Sequence, residues 1–243
     1  MRPVTTLLLF ALLSFAGCEP KFRQCPTTHT DPIKQLYNDV LIEIIEKQLG
    51  RGYLPDEDRK FVWRHFQEVY AGNWPNEPSH HDSVWLHNQE AIFHNRLFQD
   101  SARFKTYYLN TSSQSIYQIA DLPNRFSAYA PGSRIGNWIK AIAPQQEQAA
   151  LDSLNSVQNS IQPDNFQLCT ARILSYEEHR PYRPEKGVGV LTISKIVFSK
   201  TQNQALLAYG WHCGSKCGYG EVLFVEKLGG RWHIKQAIGT WIS

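Results

Sequence analysis

Four histidines lie within fifteen residues of one another, and acidic residues stand between them. They are His80, His81, His87 and His94. Imidazole and carboxylate groups at this density are typical ligands for zinc and other transition metals. The spacing is not that of an H-E-x-x-H helix, however, and a polar segment of this kind is more often simply solvated. Two interpretations stay open: a zinc site of a metal-dependent hydrolase, or a solvated segment with no cofactor.

Four cysteines in the body of the chain form an even number, as expected for disulfides. The closest pair, Cys213 and Cys217, encloses residues 214–216, Gly-Ser-Lys, which favour a tight turn. We therefore predict a local disulfide. A redox-active pair or half of a zinc site are the alternatives, but the spacer is one residue longer than that of C-x-x-C. Cys25 and Cys169 are left to pair by elimination.

Patterns typical of nucleophilic or acid-base catalysis are weak. The segment 132–136, Gly-Ser-Arg-Ile-Gly, has the wrong offset for a G-x-S-x-G nucleophile elbow. Adjacent carboxylates occur in 56–58 and 177–178, where a helix start and a loop account for them. These patterns favour a protein that is not an enzyme, while the hydrolase alternative stays open.

A basic loop over 180–186 interleaves cations with an aromatic ring. Its candidate contact residues are Arg180, Tyr182, Arg183 and Lys186. Such a loop can face a partner protein, a glycan or lipid headgroups. It also contains two prolines, which are typical of a stiff exposed connector.

The N-terminus has the pattern of a secretory signal. Arg2 precedes an apolar run from Val4 to Ala16 that is too short to span a bilayer. The run ends at Gly17-Cys18, which resembles the lipobox of bacterial lipoproteins, whose cysteine accepts diacylglycerol before cleavage. We therefore predict a signal peptide over 1–17 and a lipid anchor on Cys18.

Composition limits the partners and the size of the exported domain. The 25 Lys+Arg residues nearly balance the 22 Asp+Glu residues and are not concentrated in one segment. Nucleic acid is therefore not an expected partner. The chain that follows the signal is long enough to bury a substantial core, and no second apolar run of spanning length follows.

Apolar periodicity predicts helices in the first two thirds of the chain. A tether over 18–30 precedes a helix over 31–50, where Asp31-Pro32 provides an N-cap and a first residue. Further helices are predicted over 56–70 and 144–161. Residues 73–90, which contain most of the histidines, are predicted to be a loop.

Extended patterns occur in the middle of the chain and dominate its last third. Strands are predicted over 91–98, 104–117, 166–176, 189–199, 204–213, 219–228 and 231–242. The apolar pattern changes phase near Ser194-Lys195, which predicts a bulge. Short connections predict antiparallel neighbours. We expect one α+β domain over 31–243, with a helix-rich part over 31–161 on one side of a curved antiparallel meander over 166–243.

The C-terminal third carries distinctive residues. Residues 187–220, GVGVLTISKIVFSKTQNQALLAYGWHCGSKCGYG, and 223–243, LFVEKLGGRWHIKQAIGTWIS, resemble a group of uncharacterised bacterial lipoproteins and secreted proteins. The shared pattern is a serine-bearing strand, an Ala-Leu strand, a Cys-Gly-x-x-Cys-Gly turn and a Gly-x-Trp strand ending in Trp-x-Ser. Tyr37 to Leu41, YNDVL, is similar to that group's start. The resemblance covers about a quarter of the chain and implies fold and location but no activity.

These observations together predict a lipoprotein of the bacterial cell envelope, attached to a membrane by lipid. The globular domain is expected to bind a partner protein or an envelope glycan without catalysis. A metal-dependent hydrolase that uses the region from His80 to His94 is the alternative, and thiol-disulfide chemistry at Cys213 and Cys217 is a third hypothesis.

Overall fold

The computed structural model describes residues 21–27, 29–70, 79–112, 132–176, 187–214 and 216–243. These residues form five α-helices: α1 (Pro32–Glu43), α2 (Asp56–Tyr70), α3 (His80–Leu97), α4 (Arg134–Ile142) and α5 (Glu147–Leu154). A π-helical turn (Ile44–Gln48) extends α1, and two 3-10 turns cover Ser101–Arg103 and Pro163–Asn165. Seven strands form one sheet: β1 (Lys105–Asn110), β2 (Ala171–Ser175), β3 (Gly189–Ile193), β4 (Val197–Phe198), β5 (Gln204–Gly214), β6 (Cys217–Leu228) and β7 (Arg231–Ile242). The predicted α+β fold class is confirmed.

The first two helices begin at the predicted residues. The Asp31 side chain accepts hydrogen bonds from the amides of Ile33 and Lys34, and Pro32 occupies the first turn of α1. Helix α2 covers the predicted range without change. Both starts were predictable because capping residues act on the backbone within a few positions of themselves.

The predicted loop over 73–90 and the predicted strand over 91–98 are both wrong where the structure describes them. Helix α3 covers nearly all of these residues in one element. Its apolar side chains do not share one buried side, since Val84 and Ile92 are exposed while Phe93 is buried. The sequence therefore lacks the periodicity that reveals an amphipathic helix.

The predicted helix over 144–161 is shorter in the structure, where α5 ends at Leu154. Beyond it, Val157 forms an isolated antiparallel bridge with Ser194. This pairing with a distant residue replaces the predicted continuation of the helix. Helix α4 was not predicted, because glycines in and before it indicated a turn.

The sheet is mixed, with the strand order β2-β1-β3-β5-β6-β7 and with β4 paired to β5. Strands β3, β5, β6 and β7 are antiparallel neighbours, which confirms the predicted meander. However, β1 comes from the middle of the chain and runs parallel to both β2 and β3. The purely antiparallel sheet was therefore wrong, because parallel pairing joins strands that are distant in sequence and leaves no local signal.

Near Ser194-Lys195, where a bulge was predicted, the extended chain is interrupted between β3 and β4, and this irregularity anchors the first helix. Strand β3 ends at Ile193, and the Ser194 hydroxyl oxygen accepts the amide of Ala208 at 2.7 Å. The Tyr37 hydroxyl on α1 donates to the carbonyl of Ser194 at 2.9 Å. The irregularity thus exposes a carbonyl that fixes α1 on the sheet.

Helices cover both faces of the sheet, so the expectation of helices on one side is wrong. Leu206 and Leu207 are neighbours on β5 and therefore point to opposite faces. Leu207 packs in the cluster that contains α1, whereas Leu206 packs with Ile135 of α4 and Leu154 of α5. The central strand is consequently buried on both sides.

The predicted tether over 18–30 is shorter than expected, because the chain packs on the domain from Lys21 onward. The Asn95 side chain on α3 donates to the carbonyl of Lys21 at 2.9 Å and accepts the amide of Arg23 at 2.8 Å. Cys25 is buried. Within the described residues, no helix has both the length and the apolar character needed to cross a membrane.

Candidate functional site

Two carboxylates on α1 bind the backbone of the last strand. Asp39 accepts the amide of Trp232 at 3.0 Å and the guanidinium of Arg231 at 3.1 Å. One turn later, Glu43 accepts the amide of Ile234 at 2.9 Å. The Asp39 side chain is 1% exposed and the Glu43 side chain is 12% exposed. These carboxylates therefore attach α1 to the sheet.

Strand β7 lies at one edge of the described sheet, where alternate amides point away from the neighbouring strand. The carboxylates of α1 pair with two of these outward amides. Glu43 also contacts the imidazole of His233 at 2.9 Å and the ammonium of Lys47 at 3.1 Å. Burial opposes ionisation of Glu43, but the amide of Ile234, His233 and Lys47 outweigh it and lower its pKa.

A third carboxylate lies on the π-helical turn that follows α1. Glu46 is 3.2 Å from the imidazole of His94 on α3, and it accepts the hydroxyl of Thr170 at 2.7 Å. A π-helical turn inserts an extra residue and changes the direction of the side chains that follow. The turn lets Glu46 contact α3 while Glu43 contacts β7.

A cleft of about 660 Å³ opens beside these carboxylates. Its walls come from residues 22–25, from α1 with its π-helical turn, from α3 and from the start of β7. The lining includes four carboxylates (Asp39, Glu43, Glu46, Glu90), four cations (Arg23, Lys47, Arg51, Arg231), two histidines (His87, His233) and three aromatic residues (Phe22, Tyr53, Trp232). The volume is within the range of small-molecule sites, and the formal charges balance.

Each carboxylate of the cleft already contacts a basic side chain. Besides the contacts above, Arg51 forms an ion pair with Glu90 across the cleft wall. Burial lowers the pKa of Arg51, with Tyr53 opposing this shift, and burial raises the pKa of Tyr53. An isolated carboxylate suited to general acid-base work is not present in this described lining. The arrangement is better suited to holding a polar ligand.

The cleft brings together polar groups from distant parts of the chain. The chain matches no family model, no curated protein and no solved structure.

The Cys25 thiol borders the cleft and contacts Cys169, but the structure shows both as free thiols. Burial raises the pKa of Cys25, and a side-chain hydrogen bond with Cys169 adds to the shift. A thiol held in its protonated form is a poor nucleophile. Cys25 is therefore not a candidate catalytic residue, whereas its contact with Cys169 agrees with the predicted pairing.

We expect Cys25 and Cys169 to form a disulfide under oxidising conditions, because their thiols are in contact. The measurement is a thiol titration of denatured, unreduced protein in a Cys18→Ser background. No reactive thiol is expected. A Cys25→Ala variant is the matched control, in which the Cys169 thiol should become reactive. Two reactive thiols in the parent protein would contradict the pairing.

The four histidines lie on α3 but do not converge on one point. His80 and His81 are in the first turn, and both are exposed. His87 is seven residues beyond His80, which corresponds to about 10 Å along a helix.

His94, the fourth histidine, is buried, and its imidazole contacts other side chains. It pairs with Glu46 and packs edge-on against Tyr53. No group of three or more His, Cys, Asp or Glu residues in the described parts of the chain is arranged to hold a metal. The four histidines of α3 therefore do not form the predicted zinc site.

The predicted disulfide between Cys213 and Cys217 is present, with the two Cα atoms 5.1 Å apart. It closes the end of the β5–β6 hairpin, and the strand register shifts between His212 and Gly214. A loop this short stabilises the fold by about 2 kcal/mol in the chain-entropy model.

Two predicted sites lie outside the described residues. They are the lipidation site Cys18 with its signal peptide, and the basic loop with Arg180, Tyr182, Arg183 and Lys186.

Sequence reasoning missed the acidic side of α1. The signal available was the spacing of Asp39 and Glu43, one turn apart on a helix with an otherwise apolar face. The complementary signal was Arg231 and His233, two residues apart on one side of a strand. Neither pair predicts the other, because only the fold places them together.

Proposed function

We propose that this chain is an exported lipoprotein of the bacterial cell envelope, anchored by acyl chains on Cys18, whose domain binds an envelope glycan in the cleft. The signal-like segment 1–17 supports export. The disulfide between Cys213 and Cys217 supports an oxidising compartment. The resemblance of 187–243 to bacterial lipoproteins supports the same location.

Binding is favoured over catalysis by the state of the polar groups in the cleft. Its carboxylates are engaged by amides and cations, and its thiol is held protonated. Groups engaged in this way are fixed in place rather than poised to exchange a proton. Their role is to hold the walls of the cleft rigid.

A glycan is the ligand class that the lining fits best, and the charge-balanced cleft is the observation that carries the proposal. Equal numbers of acidic and cationic side chains do not favour a polyanion. Among its aromatic residues, Trp232 and Tyr53 are almost fully buried, whereas Phe22 is an exposed ring at the cleft. Sugar rings pack on exposed aromatic rings, and their hydroxyl groups bond to polar side chains of both charges.

The test is isothermal titration of the exported domain, with Cys18→Ser to keep it soluble, against glycan fragments from a lysozyme digest of peptidoglycan. Lys47 and His87 border the cleft and are exposed. A Lys47→Ala, His87→Ala variant is expected to bind about tenfold more weakly, a loss of about 1.4 kcal/mol. Lys200→Ala, in the exposed turn before β5, is the matched control and should not change affinity.

Equal affinity of the cleft variant and the control would show that the ligand binds elsewhere. Absence of glycan binding, together with a crosslinked protein in intact envelopes, would favour the partner-protein alternative instead. Loss of that crosslink on replacing Arg180 and Arg183 would then assign the contact to the basic loop.

A further inference from the structure

One side of α3 carries no charged carboxylate, ammonium or guanidinium group. Its positions are three, four or seven residues apart, so they share one side of the helix. This outer face comprises His81, Val84, Trp85, Asn88, Ile92 and Asn95. Val84 is 37% exposed and Ile92 is 42% exposed. Over four turns, a surface helix normally places charges on such a side.

Exposed aromatic rings border the outer face on both sides. Phe22, in the N-terminal segment, packs edge-on against His87 and is itself 37% exposed. Phe61, on α2, stacks on Trp85 and is 49% exposed. Together with Val84 and Ile92, they give a mixed aliphatic and aromatic surface built from three separate parts of the chain.

The lipidation site is close in sequence to residues that pack against this surface. Asn95, on the outer face, holds the backbone of Lys21 and Arg23. Cys18 is three residues before Lys21, and an extended chain covers at most about 3.6 Å per residue. Three fully extended residues span at most about 11 Å, so the sequence allows only a short connection between the lipidation site and the point where the chain is fixed to α3.

We propose that the outer face of α3 lies against the lipid bilayer that holds the acyl chains of Cys18. This inference rests on the proposed lipid anchor. Aliphatic and aromatic side chains partition into the interface between headgroups and acyl chains. Lys21 and Arg23 lie on either side of Phe22 in the sequence and suit anionic headgroups. The short connection favours lipid over a protein as the occupant, because the anchored chain brings this face to the membrane.

The test uses the full lipidated chain in vesicles of phosphatidylethanolamine and phosphatidylglycerol. A spin label is placed on the outer face through His81→Cys, whose native side chain is 89% exposed. The matched control is a label at Asp152→Cys, which is exposed on α5 across the sheet. Collision of each label with oxygen, which enters lipid, and with a nickel chelate, which stays in water, reports its environment.

We expect an oxygen-to-nickel collision ratio that is severalfold higher for the label on the outer face than for the control label. Replacing Val84→Glu and Ile92→Glu should reduce this ratio to the control value while the protein still sediments with vesicles. Both positions are exposed, so this variant is expected to keep the wild-type thermal unfolding midpoint, which is measured alongside.

Equal ratios at the two labels in vesicle-bound protein would overturn the proposed docking and leave the lipid anchor intact. Low collision with both reagents on the outer face would also overturn it, because that result indicates a second copy of the protein as the occupant. Protein that stays in the supernatant, with no added lipid mass on its N-terminal peptide, would overturn the anchor itself and the docking with it.

Discussion

Replacing Asp39 by alanine is expected to lower the free energy of unfolding by about 3 to 5 kcal/mol. The carboxylate is almost fully buried and accepts hydrogen bonds from the Trp232 amide and the Arg231 guanidinium. Its removal leaves a buried amide without a partner and a cation without its counter-charge. It also releases the contact that fixes α1 to the edge of the sheet.

Urea unfolding at neutral pH measures this loss. Asp39→Asn should be intermediate, because its carbonyl still accepts the Trp232 amide but no longer offers a charge to Arg231. Glu68→Ala, at an exposed position on α2, is the control and should change stability by less than about 0.5 kcal/mol. An Asp39→Ala loss no larger than that of the control would show that the buried contact contributes nothing.

Elements with local signals were predicted almost to the residue. The start of α1 depends on Asp31 and Pro32, and the β6–β7 turn depends on Gly229 and Gly230, both of which have positive φ. The break at Ser194 was visible as a change of phase in the apolar pattern. In each case the residues that determine the geometry are neighbours in sequence.

Features that depend on distant contacts, namely helix α3 and the parallel pairing of β1, were not predicted. Helix α3 was read as a loop and a strand because it is bordered on several sides, by α2, by the N-terminal segment and by Glu46. Its residues therefore lack a single apolar side. Strand β1 was predicted, but its parallel neighbours were not, because β2 begins more than 60 residues later.

The candidate site was predicted less well than the fold. His87 and His94 were predicted as metal ligands, and the structure places His87 in the wall of the cleft and pairs His94 with Glu46. Cys25 was selected for a disulfide, and it borders the same cleft. Residue type thus identified polar positions of interest, but their chemistry depended on partners contributed by other elements.

Glu43 is a buried residue through which we expect stability to depend on pH. Its carboxylate accepts the amide of Ile234 and contacts His233 and Lys47. These contacts lower its pKa in the folded protein despite its burial. A carboxyl group with a lower pKa when folded stabilises the protein above its unfolded pKa, near 4.3. This contribution is lost as the pH falls through the folded pKa.

Glu43→Gln is therefore expected to lower the free energy of unfolding by about 2 to 3 kcal/mol at pH 7, because a charge-assisted hydrogen bond is weakened and its cations lose their counter-charge. The difference from the wild type should shrink below pH 4, where protonated Glu43 resembles glutamine. Urea unfolding between pH 3 and 7 measures both effects. Glu226→Gln is the matched control on β6, since its partner Lys235 is half exposed and surface pairs contribute less than about 1 kcal/mol. A Glu43→Gln loss that stays constant between pH 7 and pH 3 would show that the charge of Glu43 does not stabilise this edge of the sheet.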